Sequence, residues 1–294
     1  MDGIVVVNKP KNFTSFDVCA KLRGIFETKK IGHAGTLDPM ATGVLPVFVG
    51  KATKACGILP NDKKVYTASF KFGIKTDTED IWGTVLSEEE SRVKTDELIV
   101  AAKSFLGDIK QIPPMYSAVK INGRKLYSLA RKGIEIERPE RDVHIYQVDV
   151  LCFDEESQSG ELYVVCSKGT YIRTLICDIA KRLKTIGVMT ELRRDASGGF
   201  SLSKAFKIDE LQRLKEKGEL QNALISTDKA FECYDSVTLD EKRTWLYKNG
   251  VMLRADQIGA KDDTYRIYGF DGEFLGLAET DVSGNQTKRI KNFY

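Results

Sequence analysis

The sequence has 294 residues, of which 42% are hydrophobic and 30% charged, and this balance fits a globular protein with enough apolar material for a sizeable core. Its 45 basic and 42 acidic side chains leave a formal net charge of +3, which by itself indicates no polyanionic partner. Six cysteines without a Cys-x-x-Cys pair, only two histidines and no apolar stretch of membrane-spanning length argue against a disulfide framework, a zinc site and a membrane protein. We therefore expect a cytoplasmic protein whose cysteines are small core residues.

Hydrophobic periodicity predicts a mixed α+β chain through about residue 230. Thr14 and Asp17 form a capping-box pattern before apolar residues at helical spacing, and residues 64–72 alternate so that Tyr66 begins an apolar strand face. Asn122-Gly123 indicates a hairpin turn. In chain order, we predict strands at residues 3–7, 44–49, 64–72, 144–153, 161–167 and 188–193, and helices at residues 14–26, 96–105, 126–131, 170–183 and 209–217.

The character of the sequence changes near Thr227. After Val237 short strands and turns dominate, and Asp271-Gly272 separates a clear pair of strands at residues 265–270 and 273–278. We therefore predict two domains, a mixed α+β domain over residues 1–230 and a small β-rich domain over residues 235–294.

The segment Gly32-His33-Ala34-Gly35-Thr36-Leu37-Asp38-Pro39 places one carboxylate on a glycine-flanked loop. The following proline restricts the backbone of Asp38, which suits a side chain that must point into a cleft. On spacing alone, a plain turn is the simpler interpretation. An ionised Asp38 in a closed site needs a cation, and Arg173 is a candidate because a guanidinium can bind a carboxylate through two nitrogens. Taken singly, Arg173 fits a surface helix equally well, and Tyr171 fits a core aromatic residue.

A basic segment lies between residues 117 and 141. Its seven cations exceed its three anions, and tyrosines lie beside and within it, which is the composition that RNA binding requires. A solvated charged face is the alternative interpretation. The cations are Lys120, Arg124, Lys125, Arg131, Lys132, Arg138 and Arg141.

Several motifs, in order, resemble the TruB family of tRNA pseudouridine synthases in its bacterial form. The resemblance is nearly continuous over residues 3–200. It is specific because the motifs occur together and in order. The motifs are Asn8-Lys9-Pro10, GHAGTLDP at 32–39, ATGVLP at 41–46, KVY at 64–66, IPPMYSAVK at 112–120, KGTYIR at 168–173 and LRR at 192–194.

The resemblance implies the α+β pseudouridine synthase fold, with a mixed or antiparallel central sheet. It also implies a thumb-like insertion, residues 105–142, and a small C-terminal PUA-like RNA-binding domain. The implied activity is isomerisation of the T-loop uridine of tRNA (tRNA position 55) to pseudouridine, after the base is flipped out of its stack. This isomerisation is redox-neutral and needs no metal, nucleotide or flavin, and we expect a monomer without an obligate protein partner.

The same resemblance implies roles for single residues. Asp38 would be the catalytic aspartate, Tyr171 would assist proton removal, and Arg173 would pair with the catalytic carboxylate. Substrate binding would involve His33, which supports the flipped state, Tyr66, which stacks on the base, Leu192, which lines the uracil pocket, and the bracing turn Lys9-Pro10. The implied tRNA-binding cations of the thumb-like insertion are Lys120, Arg124, Lys125, Arg131 and Lys132.

Two departures and three alternatives accompany this interpretation. Ala34 and Thr36 replace the threonine and alanine frequent in the family loop, at positions that supply no nucleophile. The C-terminal region matches the PUA domain through Lys248-Asn249-Gly250 and the Gly272 hairpin alone, so the resemblance assigns it no RNA contacts residue by residue. A guide-RNA-dependent pseudouridine synthase usually has a larger PUA region, and a non-catalytic tRNA-folding factor would not need the intact catalytic set. A carboxylate-dependent hydrolase would need a second acidic group beside Asp38, and the neighbouring loops offer no convincing one.

Overall fold

A computed structural model describes residues 1–121, 123–258 and 261–294. The strands are β1 (Gly3–Lys9), β2 (Ile31–His33), β3 (Thr42–Val49), β4 (Lys64–Phe72), β5 (Ile74–Thr76), β6 (Val85–Glu88), β7 (Gly107–Gln111), β8 (Lys120–Ile121), β9 (Arg124–Lys125), β10 (Arg141–Asp154), β11 (Ser159–Cys166), β12 (Gly187–Ser197), β13 (Phe200–Ser201), β14 (Asp235–Thr238), β15 (Thr264–Tyr268), β16 (Phe274–Asp281) and β17 (Gln286–Asn292). The helices are α1 (Ser15–Ile25), α2 (Thr95–Lys103), α3 (Leu126–Ala130), α4 (Ile172–Arg182), α5 (Ile208–Glu216), α6 (Glu241–Lys248) and α7 (Ala255–Ile258). Short 3-10 turns lie at Gly50–Ala55, Leu202–Lys204, Leu220–Ala223 and Thr227–Phe231.

The central sheet has the strand order β1-β3-β12-β4-β11-β10-β7, with β2 and β13 paired at its margins. Only the β3–β12 pair along this order is parallel, so the sheet is mixed, as predicted. Gly43 makes this parallel pairing possible, because a Cβ there would lie 2.2 Å from the carbonyl oxygen of Arg194. The parallel contact brings the end of the Asp38 loop against β12.

Two pairs of helices pack on this sheet. The alternating residues of β4 pack with α2 and α4 in one buried cluster, which includes Phe70, Leu98 and Leu175. Helix α1 begins at the predicted capping box, with reciprocal hydrogen bonds between Thr14 and Asp17, and packs with α5 on β1 and β3. For these elements the sequence pattern therefore predicts the secondary structure and the buried face correctly.

The C-terminal sheet has the order β14-β15-β16-β17. Its own core includes Leu239, Tyr247 and Leu275. A second cluster joins this region to the central sheet, since Phe293 is buried in one group with Ile4 of β1. The β-rich C-terminal region is thus present and packs directly on the first part of the chain.

The thumb-like insertion contains the predicted hairpin, β8 paired with β9, followed by α3. Asn122 of the predicted turn lies outside the described residues. The insertion has a small buried cluster of its own, formed by Met115, Leu126 and Leu129. This packed cluster supports the segment that carries the basic residues.

The prediction for the cysteines is wrong in part. Cys19 and Cys166 are buried, whereas Cys152 and Cys233 are exposed. Cys152 lies on β10 at a break in the register of its pairing with β11. No helix among the described residues is long and apolar enough to cross a membrane.

Candidate active site

The loop between β2 and β3 presents Asp38 while its backbone is held on both sides. The Ser15 hydroxyl accepts a hydrogen bond from Leu37 N at 2.9 Å, and Ala41 N donates to the Asp38 carbonyl at 3.1 Å. Leu37 is buried, whereas the Asp38 side chain is 37% exposed. The loop therefore fixes the main chain and leaves the carboxylate open to a substrate.

Lys9 braces this loop from β1. Its ammonium is fully buried and donates to the carbonyls of Pro10, Phe13 and Pro39 at 2.9, 2.6 and 3.1 Å. Burial lowers the pKa of Lys9 to about 8, with the Asp38 charge opposing that shift. Because one bond reaches Pro39, Lys9 connects the turn after β1 to the residue that follows Asp38, as the bracing interpretation expects.

Arg173 lies beside Asp38, with 3.0 Å between Nε and Oδ2. Its other two nitrogens donate to main-chain carbonyls, Nη1 to Thr78 at 2.7 Å and Nη2 to Tyr116 at 2.9 Å. The expected ion pair is therefore present, but the expected two-nitrogen contact with the carboxylate is wrong. The side chain is only 4% exposed, so the guanidinium joins three separate chain segments inside the protein.

A second carboxylate lies on the other side of Arg173. Asp80 Oδ2 is 3.8 Å from Arg173 Nη1, and the Asp80 carboxylate accepts from the Thr78 hydroxyl and from Trp82 N. Burial raises the pKa of Asp80, and the charge of Asp38 adds to this rise. The expectation that no second acidic group lies near Asp38 is therefore wrong. One cation serves both carboxylates.

Asp38 and Arg173 open into a cleft of about 340 Å³. Tyr66, Tyr171 and Leu192 line it as well, so five of the eight predicted catalytic and substrate-binding residues meet in one place. Tyr66 is buried, which raises the pKa of its phenol and keeps it neutral. An aromatic side chain and an apolar one beside a paired carboxylate can hold a planar, uncharged base against an ionised group.

The remaining predicted residues lie around this cleft. Lys9 contacts the loop at the Pro39 carbonyl, and Pro10 accepts a hydrogen bond from Lys9. His33 on β2, like these two residues, is not among the residues that line the cleft. Burial lowers the pKa of His33, and its buried Nδ1 makes no hydrogen bond with the described residues. A neutral imidazole at this position does not serve as a proton donor at neutral pH.

Arg194 is a further buried cation that sequence analysis did not single out. Its side chain is fully buried, with Nε donating to the carbonyl of Val44 at 2.7 Å and Nη2 to that of Gly35 at 3.0 Å. It also lies opposite Tyr66 in the β12–β4 pairing. Arg194 therefore connects the Asp38 loop, β3 and the strand that carries Tyr66.

Ser15, Asp80 and Gln111 are also not marked as site residues by any motif in the sequence. Ser15 directly follows the capping-box threonine, and Gln111 directly precedes the IPPMYSAVK motif. Their position beside these patterns is the only sequence signal that could have indicated a role at the site. The hydrogen-bond partners of Ser15 and Gln111 lie 22 and 60 positions away along the chain, respectively. Only the folded chain shows those contacts.

The five predicted RNA-binding cations are all exposed on the thumb-like insertion. Within the described residues none of them pairs with a carboxylate, and Lys125 and Arg131 lie 5.4 and 5.6 Å from the ring of Tyr127. Exposed cations arranged around an aromatic ring can contact phosphates and stacked bases together. The five are Lys120, Arg124, Lys125, Arg131 and Lys132.

Comparisons with known proteins converge on one family. A family model described as "TruB family pseudouridylate synthase (N terminal domain)" matches residues 23–172, and one described as "tRNA pseudouridylate synthase B C-terminal domain" matches residues 173–232. Curated proteins named tRNA pseudouridine synthase B are similar along the whole chain. The one from Fusobacterium nucleatum is 45% identical and covers 100% of both chains, and one from Clostridium perfringens is 41% identical and covers 99% of both.

Solved structures with the same fold include the chain matched in "Crystal Structure of a Cbf5-Nop10-Gar1 Complex". It superposes with a TM-score of 0.76 at 27% identity, over 99% of this chain and 85% of that one. The chain matched in "Structure of H/ACA RNP bound to a substrate RNA containing 2'-deoxyuridine" gives a TM-score of 0.74 at 26% identity, with the same coverage. These matches bear out the predicted fold class.

Proposed function

The chain belongs to the TruB family of pseudouridylate synthases, and we propose that its cleft converts the T-loop uridine of tRNA to pseudouridine, with Asp38 as the catalytic carboxylate. It is an isomerase that acts on a uridine of tRNA, as are the full-length relatives named tRNA pseudouridine synthase B. The observation that carries the proposal is the Asp38–Arg173 pair in a cleft that also contains Tyr66, Tyr171 and Leu192.

The reaction breaks the bond between uracil N1 and ribose C1′ and forms one between C5 and C1′. The proton on C5 leaves to solvent, and N1 gains one, so atoms and electrons balance without a co-reactant. Asp38 supplies the ionised oxygen that attacks the nucleoside, and Arg173 offsets its charge. The bond that Asp38 forms breaks again before the product leaves, so the carboxylate is regenerated. Tyr66 stacks on the extruded base, a contact of about 1–3 kcal/mol that offsets part of the unstacking cost. Tyr171 assists removal of the C5 proton.

Around this site we assign residues 1–230 to the catalytic domain and residues 235–294 to a PUA-like RNA-binding domain. The thumb-like insertion contacts the T-arm through its five exposed cations, and Leu192 with the Lys9-Pro10 turn shapes and braces the uracil pocket. His33 supports the flipped state from beside the loop. The enzyme acts as a cytoplasmic monomer, without an obligate protein partner.

Release of tritium from tRNA labelled at uridine C5 tests the function directly. We expect the purified protein alone, without guide RNA or added cofactor, to release the label of one uridine per unmodified tRNA transcript. Sequencing of the product after chemical derivatisation of pseudouridine should place it in the T-loop. Tight tRNA binding without release would support a non-catalytic folding factor instead. Release that depends on an added guide RNA would support the guide-dependent alternative.

Loss of thumb cations should weaken tRNA binding without changing the chemistry. In a Lys125→Ala, Arg131→Ala double variant, the slope of log affinity against log salt should fall by about 0.7–0.9 for each lost phosphate contact. The rate at saturating tRNA should stay near the wild-type value, because neither side chain lines the cleft. Filter binding at several salt concentrations, with single-turnover assays, measures both. The control is Lys71→Ala with Lys75→Ala, two exposed lysines that lie on β4 and β5, outside the thumb-like insertion. An equal loss of affinity in the control would contradict this assignment.

A further inference from the structure

Gln111, the last residue of β7, makes a paired contact with the main chain of Tyr171. Its carboxamide oxygen accepts from Tyr171 N at 2.9 Å, and its carboxamide nitrogen donates to the Tyr171 carbonyl at 3.2 Å. The side chain is 1% exposed, so both bonds are shielded from solvent. A buried amide with both functions paired to one residue fixes that residue's peptide planes on both sides.

Tyr171 is the N-cap residue directly before α4, and Arg173 is the second residue of that helix. The Tyr171 carbonyl also accepts from Leu175 N at 3.0 Å, the first hydrogen bond of the helix. Because Tyr171 makes no side-chain capping bond to α4, the Gln111 carboxamide holds this helix start from outside. Movement of the Tyr171 backbone would displace its ring and shift the guanidinium of Arg173.

The thumb-like insertion contacts the site at a second point a few residues further along. The carbonyl of Tyr116 accepts from Arg173 Nη2 at 2.9 Å. Gln111 and Tyr116 thus border a short segment, residues 112–115, and each contacts one of the two residues, Tyr171 and Arg173, that the proposed mechanism uses. The base of the insertion is therefore part of the structure that orients the cleft.

We propose that Gln111 is a positioning residue for the isomerisation, acting through the backbone of Tyr171. This inference rests on the proposed function, in which Tyr171 and Arg173 act on the flipped uridine. Displacement of reacting groups by about 1 Å can lower a rate about 100-fold, so loss of this contact should affect the rate of chemistry more than tRNA affinity.

The chain contains a matched control for this contact. Gln158 makes the same paired contact with Val93, accepting from its N at 2.9 Å and donating to its carbonyl at 3.0 Å. Val93 lies two residues before α2, and Tyr171 lies one residue before α4. Gln158 is 7% exposed, and its carboxamide nitrogen also donates to the Glu155 carbonyl at 2.7 Å. Its main-chain carbonyl accepts from Phe72 N, at the far end of β4 from Tyr66. At about 3.3 Å per residue, those two ends of β4 are about 20 Å apart.

The first experiment compares Gln111→Ala with Gln158→Ala in single-turnover tritium release, tRNA binding and thermal unfolding. Gln111→Ala should lower the single-turnover rate about 10- to 100-fold, with tRNA affinity within about threefold of wild type. Gln158→Ala should lose comparable stability and retain the wild-type rate. A wild-type rate in folded Gln111→Ala, or an equal rate loss in Gln158→Ala, overturns the inference. No release by the wild-type protein would instead overturn the proposed function.

The second experiment uses Gln111→Glu, which keeps the shape of the side chain. The carboxylate cannot donate to the Tyr171 carbonyl, but the protonated acid can, and burial raises the pKa of such a carboxyl group. The rate of this variant relative to wild type should therefore rise about fivefold or more as the pH falls from about 8.5 to about 6. Gln158→Glu should show no such change. A ratio for Gln111→Glu that does not vary with pH contradicts a positioning role, even if Gln111→Ala does not fold.

Discussion

Replacement of Asp38 by alanine is expected to abolish turnover, with a loss in kcat of roughly 10⁴-fold or more, as for removal of other catalytic nucleophiles. Binding of tRNA should change little, because the loop does not depend on this carboxylate for its shape. Its bonds run through the Ser15 hydroxyl, the Lys9 ammonium and the main chain of Ala41. The variant should therefore present an intact cleft without its reactive group.

Tritium release under multiple turnover, with tRNA affinity measured in parallel, checks this prediction. Asp195→Ala is the control, since this carboxylate lies on β12, outside the residues that line the cleft, and accepts from the Thr67 hydroxyl at 2.6 Å. It should retain the wild-type rate. Measurable multiple turnover by Asp38→Ala would show that another group carries out the reaction. A large loss of tRNA affinity would show that the carboxylate shapes the cleft.

The elements around this site could be predicted where the signal is local. The alternation over residues 64–72 coincides with β4, because one face of that strand packs on α2 and α4. The Thr14 capping box begins α1 for a similar reason, since both of its bonds lie within four residues. In each case the partners that determine the structure are close in sequence or repeat with a fixed period.

The contacts of the site could not be predicted in this way. Arg173 reaches Thr78 and Tyr116, which are 95 and 57 residues away, and both contacts are with carbonyl oxygens that every residue possesses. No residue type marks such an acceptor. Asp80 could not be predicted for a related reason. It lies on the segment that precedes β6 and not on the Asp38 loop, and only the folding of that segment brings it beside Arg173. The motifs in the sequence therefore predicted which residues lie at the site, but they did not predict the hydrogen bonds that those residues make.

Arg173→Lys should lower the rate of isomerisation at least about 100-fold, equivalent to about 2.7 kcal/mol in activation free energy. The three nitrogens of the guanidinium point in different directions and contact Asp38, Thr78 and Tyr116. Lysine has a single ammonium nitrogen, which cannot reach all three. An acceptor left unpaired inside the protein costs about 1–3 kcal/mol, so the lysine is drawn toward the carbonyls and away from Asp38. We therefore expect the loss of rate because Arg173 contacts three separate chain segments, and not because it binds one carboxylate through two nitrogens.

The control for this variant lies on the same helix. Arg182 is exposed at the other end of α4, so Arg182→Lys changes the same chemical group without touching the cleft, and it should keep the wild-type rate. Single-turnover tritium release at saturating tRNA separates a chemical defect from weaker binding, and thermal unfolding reports the cost of the unpaired carbonyls. If Arg173→Lys retains a rate within about threefold of wild type, a point charge near Asp38 is sufficient. The contacts with Thr78 and Tyr116 would then stabilise the fold without orienting the reaction.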